Sequence, residues 1–171
     1  ALPGVKQPII TNRGIEAIED NFDAMYIMDI DDRLESDPKD ISTVSDVIST
    51  FEARSLDTSF AAAYYPDVRT EDPAFGRRIT IAPSTVVLGA FAFNDRVANP
   101  FQAAAGFTRG QLPSVASTTQ RLTQRDRNEL YDNANINPVF SPPGRGFTIF
   151  GNKTLEANQD SALTRVHVRR L

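Results

Sequence analysis

The 171 residues are 40% hydrophobic and 23% charged, ordinary for a globular chain and enough to bury about two-thirds of the surface an unfolded chain exposes. With no cysteine, disulfides, thiolate nucleophiles and zinc–thiolate sites are excluded, and no apolar run approaches the roughly 18 residues that cross a bilayer. Charge is uneven: residues 1–85 hold 16 acidic and 8 basic side chains, residues 86–171 hold 6 and 10, and fifteen of the eighteen cations are Arg. An acidic half and an Arg-rich half can pair with each other, pair head to tail with neighbouring copies, or simply be two solvated faces. The opening residues do not read as a signal peptide, and Ala1 in place of Met reads as a processed, cloned or proteolysed start.

In chain order, residues 11–19 read as a short helix leading into 24–30, a run apolar on both faces, as a covered central strand requires. The polar stretch 31–42, with Pro38, reads as a loop. Val44, Val47, Ile48 and Phe51 fall at i, i+3, i+4 and i+7, one stripe of an amphipathic helix that Ser42 or Thr43 can cap. Residues 59–65, SFAAAYY, form a second apolar run stopped by Pro66. Strand, helix and strand in succession predict an α/β fold, a mixed sheet with helices packed on its faces.

The alternating stretch 78–82 suggests a further strand. Pro83 and Ser84 start either a helix, with Ser84 as N-cap, or another strand, and propensity leaves 86–93 open. Residues 94–116, rich in Ala, Gly, Asn, Pro and Gln, read as a long loop ordered by contacts, including contacts with a partner. Thr123 and Asp126 resemble a capping box opening a helix to Tyr131. Residues 137–140 and 147–150, joined by Ser-Pro-Pro-Gly-Arg-Gly, read as a strand pair, and 166–171 as a closing strand. The expectation is one domain or part of one, with a βαβ-like first half (1–70) and a second half (71–171) of long ordered loops.

Four features could carry chemistry. The strand MYIMDIDDR delivers Asp29 and Asp31 one residue apart, the spacing of a Mg²⁺-dependent phosphotransferase of the haloacid dehalogenase type. That chemistry also wants Thr, Val or Gly after the second Asp, a phosphate-holding Lys and a later acidic pair. Here Asp32 and Arg33 follow, the only lysines are Lys6, Lys39 and Lys153, and the later acids are scattered, so the stretch reads as a strand end returning to water. His167 is the only histidine, and no Gly-x-Ser-x-Gly elbow accompanies it. Gly144-Arg145-Gly146 lacks the Gly-Lys-Ser/Thr of a phosphate loop and reads as a turn. Arg121, Arg125 and Arg127 could meet nucleic acid phosphates, but Asp126, Glu129, Asp132 and a pI near 5.0 oppose that. No catalytic, cofactor or metal residue is assigned, and no nucleic-acid or membrane partner.

Several stretches, in order, resemble contractile phage tail sheath proteins. Residues 59–66, SFAAAYYP, are similar to that family's SYAALYYP segment; Pro83-Ser84, Gly89-Ala90 and Asp95 are similar to its PPSG…AG…ARTD stretch. Phe101 to Gly106 sits where the family has an aromatic-Lys-Ala-Pro-Ala segment. Ile136-Asn137, then Gly144-Arg145-Gly146 with Gly151, Lys153, Thr154 and Leu155, and finally Val168-Arg169-Arg170-Leu171 (the family's VRRL) complete the set, with the strand at 25–30 upstream. Gln102, Ala104 and Phe150 depart from the usual Lys, Pro and Trp.

The resemblance implies a non-enzymatic structural subunit without cofactor, part of a sheath core that is subtilisin-like in fold only. Its implied partners are other copies in stacked hexameric rings, the tail tube, the baseplate and the tail terminator. Assembled in the host bacterial cytoplasm, such a virion sheath contracts to drive the tube through the envelope for genome ejection; R-type pyocins and type VI secretion systems work similarly. On the resemblance, residues 86–93 become helix, 59–65 strand, and the chain a fragment of the core. The charge asymmetry predicts that neutralising Arg121, Arg125 and Arg127 alters assembly or its salt dependence.

Overall fold

Three consecutive alanines, Ala61 to Ala63, let neighbouring elements close completely over one strand, and that strand lies at the centre of the molecule. The computed structural model describes residues 1–22, 24–31 and 43–170. The expectations for Asp32, Arg33, the loop around Pro38, Ser42 and Leu171 lie outside the described residues.

The main sheet has the order β1-β2-β6-β7, from β1 (Tyr26–Asp29), β2 (Ala61–Tyr65), β6 (Ile136–Phe140) and β7 (Thr148–Ile149). β1, β2 and β6 are parallel, and β7 returns antiparallel to β6. A second sheet, β4-β3-β5, is antiparallel and built from β3 (Val68–Glu71), β4 (Arg78–Ile81) and β5 (Val115–Thr118). Between the strands lie α1 (Pro8–Asn21), α2 (Val44–Glu52), α3 (Pro83–Val97), α4 (Gly106–Arg109) and α5 (Gln124–Asp132); α6 (Val166–Arg169) closes the described chain. The expected mixed α/β sheet with helices on its faces is therefore present.

Alternation along the strands divides the interior into two cores. Tyr26, Met28, Ala61, Ala63, Tyr65 and Ile136 face one side, where Ile15 of α1, the Val44-Val47-Ile48-Phe51 stripe of α2 and Leu130 of α5 cover them. Ile27, Ala62, Tyr64 and Val139 face the other, under Val87 and Phe91 of α3, Leu112, Ile149 and Val166. Thr43 caps α2 by accepting from the Asp46 N–H, and the Thr123–Asp126 capping box opens α5 as predicted.

Five expectations change. α1 is longer than 11–19 because Pro8 occupies its first turn, where the missing N–H costs nothing. Residues 86–93 are helical, but Ala82 is the N-cap of α3 and Pro83 leads the first turn, so Ser84 is inside the helix with its hydroxyl free for another partner. Residues 94–116 are not one uninterrupted loop: α3 runs to Val97, α4 covers Gly106–Arg109 and β5 begins at Val115, with irregular chain between them. That stretch is ordered within the chain, by Asn94 Nδ2 donating to the Gln102 carbonyl and Thr148 Oγ1 donating to the carbonyls of Gly106 and Gly110. β3 and β5 were not visible in the sequence. The closing segment is helix, not strand: Val166 is buried in the second core and Arg170 N bonds the Val166 carbonyl. Among the described residues no helix is long and apolar enough to cross a membrane.

Candidate functional site

Asp29 ends β1, yet it does not return to water. It is 1% exposed, and both carboxylate oxygens are occupied by protein donors. Oδ1 accepts from the Ser84 N–H at 2.8 Å; Oδ2 accepts from the Ser84 hydroxyl at 2.8 Å and from the Gly4 N–H at 3.0 Å. A buried carboxylate with this many charge-assisted bonds is a structural knot joining the N-terminal segment, β1 and the start of α3. Three protein donors engage its two oxygens and the fold shuts it off from solvent, while Asp31 is on the surface. The geometry gives no support to the phosphotransfer alternative at Asp29 and Asp31, and it corrects one part of the strand-end reading: Asp29 ends β1 but is buried, not returned to water. Among the described residues no three His, Cys, Asp or Glu side chains cluster as metal ligands.

Asn137, Gly151 and Lys153, also among the resemblance residues, are likewise internal fixtures. Asn137, fully buried in the middle of β6, donates through Nδ2 to the carbonyls of Ala63 (3.1 Å) and Lys153 (2.7 Å) and accepts at Oδ1 from the Lys153 N–H (2.7 Å). Gly151 lies so close beneath it that a Cβ would meet Asn137 Oδ1 at 2.3 Å and its Cα at 2.9 Å. Lys153 turns its ammonium onto the Tyr131 ring, 4.2 Å from the centroid, and donates to the Tyr131 carbonyl at 2.8 Å. Burial holds this lysine below the usual ammonium range, partly offset by the charge of Asp132. Asp95 of α3 pairs with Arg170, whose guanidinium also stacks on Phe91 at 4.5 Å, and Arg169 stacks on Phe60 at 3.5 Å. These pairings explain the Arg excess, since a planar guanidinium can stack and pair at once where an ammonium cannot.

His167 has no nucleophile beside it. Asn152 Nδ2 lies 2.6 Å from its Nδ1, and Phe101 meets its ring edge-on at 6.3 Å. Burial first, and the charge of Arg165 second, hold its imidazole below the ordinary value of 6.5. Gly144 sits at φ +72 with open space around it, as a turn glycine does.

Of the three arginines singled out in sequence, Arg125 is tied to Glu129 at 2.6 Å, and Arg127 stacks on Phe140 at 4.1 Å while donating to the Leu122 carbonyl. Arg121 is exposed without an ion-pair partner among the described residues. It rims, with Arg127, a groove of about 820 Å³ floored by Leu122, Phe140 and Phe147. Sequence reasoning found this Arg cluster but not the groove, which forms only when β5, α5 and the β6–β7 hairpin converge.

The chain resembles known proteins in both sequence and fold. No family model matches it. A stretch of 85 residues, 50% of the chain, is 40% identical to the tail sheath protein of Vibrio phage KVP40, and 85 residues are 35% identical to the tail sheath protein of Enterobacteria phage T4. The contracted helical sheath of the anti-feeding prophage superposes with a TM-score of 0.67 over 98% of this chain, at 19% identity. The contracted PVC sheath complex of an extracellular contractile injection system does so with 0.64 over 84%, at 25% identity. The matched stretch covers 12% and 13% of the two phage proteins, and the superpositions cover 41% and 36% of the two sheath chains.

Proposed function

We propose that this chain, a homologue of contractile tail sheath proteins over half its length, forms part of the core of a sheath subunit. It packs with copies of itself into a helical cylinder that shortens when the baseplate releases it. The carrying observation is the coincidence of the two comparisons: a 40% identical stretch from a tail sheath protein and a fold shared across 98% of the chain with a contracted sheath. The tail tube and the tail terminator are the further partners of this reading, the virion tail its location, and the host cytoplasm its place of assembly. The role is mechanical and non-enzymatic. Two packings of one subunit that differ by a few kcal/mol store energy cooperatively in a polymer, and no reactive group is needed to release it. In support, the buried polar side chains of Asp29 and Asn137 are engaged by the fold itself.

The test is to express the complete reading frame that contains this chain and examine it by negative-stain electron microscopy at moderate salt. Hollow cylinders with regular helical striation are expected. Dispersed particles under every assembly condition would count against the sheath reading.

A further inference from the structure

α1 carries an electrostatic conflict that no ion pair among the described residues resolves. Glu16, Glu19 and Asp20 crowd its C-terminal end, where the helix dipole is itself negative, and its last turn holds no basic residue. None of the three has an ion-pair partner among the described residues. Immediately beyond them the chain turns through Phe22, held at φ +58 with 72% of its surface exposed and only an edge-on contact to Phe60. The end of α1 is thus an acidic knob tipped by an aromatic ring.

The complementary surface is the groove between β5, α5 and the β6–β7 hairpin. Its rim offers the guanidinium of Arg121, which has no ion-pair partner among the described residues, and that of Arg127, stacked on Phe140 and donating to the Leu122 carbonyl; Phe140 and Phe147 line it, beside the Thr118 and Ser141 hydroxyls, which already donate to the carbonyls of Gln120 and Arg145. A partner for this groove needs carboxylates at the rim and one apolar group to cover the floor. We propose that the groove receives the acidic, Phe22-tipped end of α1 from a second copy of the chain. This deepens the sheath reading and rests on it.

Two different patches meeting in this way form a heterologous, head-to-tail contact, which propagates as a ring or an open helix and does not close as a two-fold dimer. An aromatic anchor ringed by rim charges is also the composition of an interface that can let go. The ring excludes water at one point, and the charges steer and orient without a large apolar seam.

Charge reversal with exchange tests the contact in the complete protein. Arg121→Glu alone, or Glu19→Arg with Asp20→Arg alone, is expected to raise the concentration for half-maximal cylinder assembly about tenfold. Combining all three substitutions in one chain is expected to restore most of that loss. Phe22→Ala, a change on the surface that leaves both cores intact, is expected to weaken assembly without moving the urea unfolding midpoint. Cylinders that form unaltered in both reversal variants, or a triple variant no better than the worse of its parents, would overturn this contact while leaving the sheath reading in place. Failure of the wild-type protein to polymerise would instead remove the reading beneath it.

Discussion

Asn137 shows how much of this fold hangs on single polar side chains. Its amide binds two carbonyls and one N–H on two other segments, at Ala63 and Lys153, so replacing it with Leu, close in volume, strands all three in a dry interior. At about 1–3 kcal/mol for each orphaned group, Asn137→Leu is expected to cost roughly 3–5 kcal/mol, a large part of a stability of about 5–15. Urea unfolding followed by circular dichroism would measure it. An unchanged midpoint would mean that water or a rearranged loop replaces the amide. Asn137 and Gly151 stand out in the sequence only through the family resemblance, with no role attached to either. That Gly151 exists to make room for Asn137 is a fact of tertiary contact, and no periodicity encodes it.

At the scale of elements, legibility followed length and register. The α2 stripe, the parallel β1–β2 unit and the α5 capping box were readable because each repeats one pattern over enough residues to exclude its rivals. α6 was misread because Val166, His167 and Val168 alternate over a stretch too short to separate a strand from one helical turn. β3 and β5 were missed because each spans four residues with one face toward solvent.

α6 also brings a pH dependence. Its His167 holds a depressed imidazole value, so the folded chain binds that proton less readily than the unfolded chain does. The contribution to stability is complete above the ordinary value of 6.5 and declines as pH falls through the window below it. The unfolding midpoint is expected to drop between pH 7.5 and pH 5, and His167→Gln to reduce that drop. An identical pH profile in the variant would show that α6 does not sense the proton.

At the scale of the whole molecule, two kinds of electrostatics separate. The pairs that hold the fold are sheltered: Lys6 with Asp67 at side-chain exposures of 8% and 14%, and Arg170 with Asp95 at 17% and 31%. Apart from buried Asp29 and Lys153, the other described charges are partly or fully exposed, where salt screens them over about 8–10 Å. Raising sodium chloride from 0.1 to 0.5 M is therefore expected to change folding stability by less than about 1 kcal/mol while shifting polymerisation strongly. Parallel urea titrations and turbidity measurements would check the contrast. A fold that weakens as steeply as the polymer would mean that the exposed charges hold the subunit together as well.

The knot at Asp29 has a mechanical meaning. Gly4 is fastened to the last residue of β1, and Lys6 to Asp67 just beyond β2, so the N-terminal segment is anchored twice at the carboxyl edge of the main sheet. At the far end of the described chain Arg170 is fastened to Asp95 on α3, which itself starts at the Asp29 knot. A pull on the N-terminal segment therefore loads Asp29 and Asp67, at one rim of the sheet, before it reaches the strand ladder.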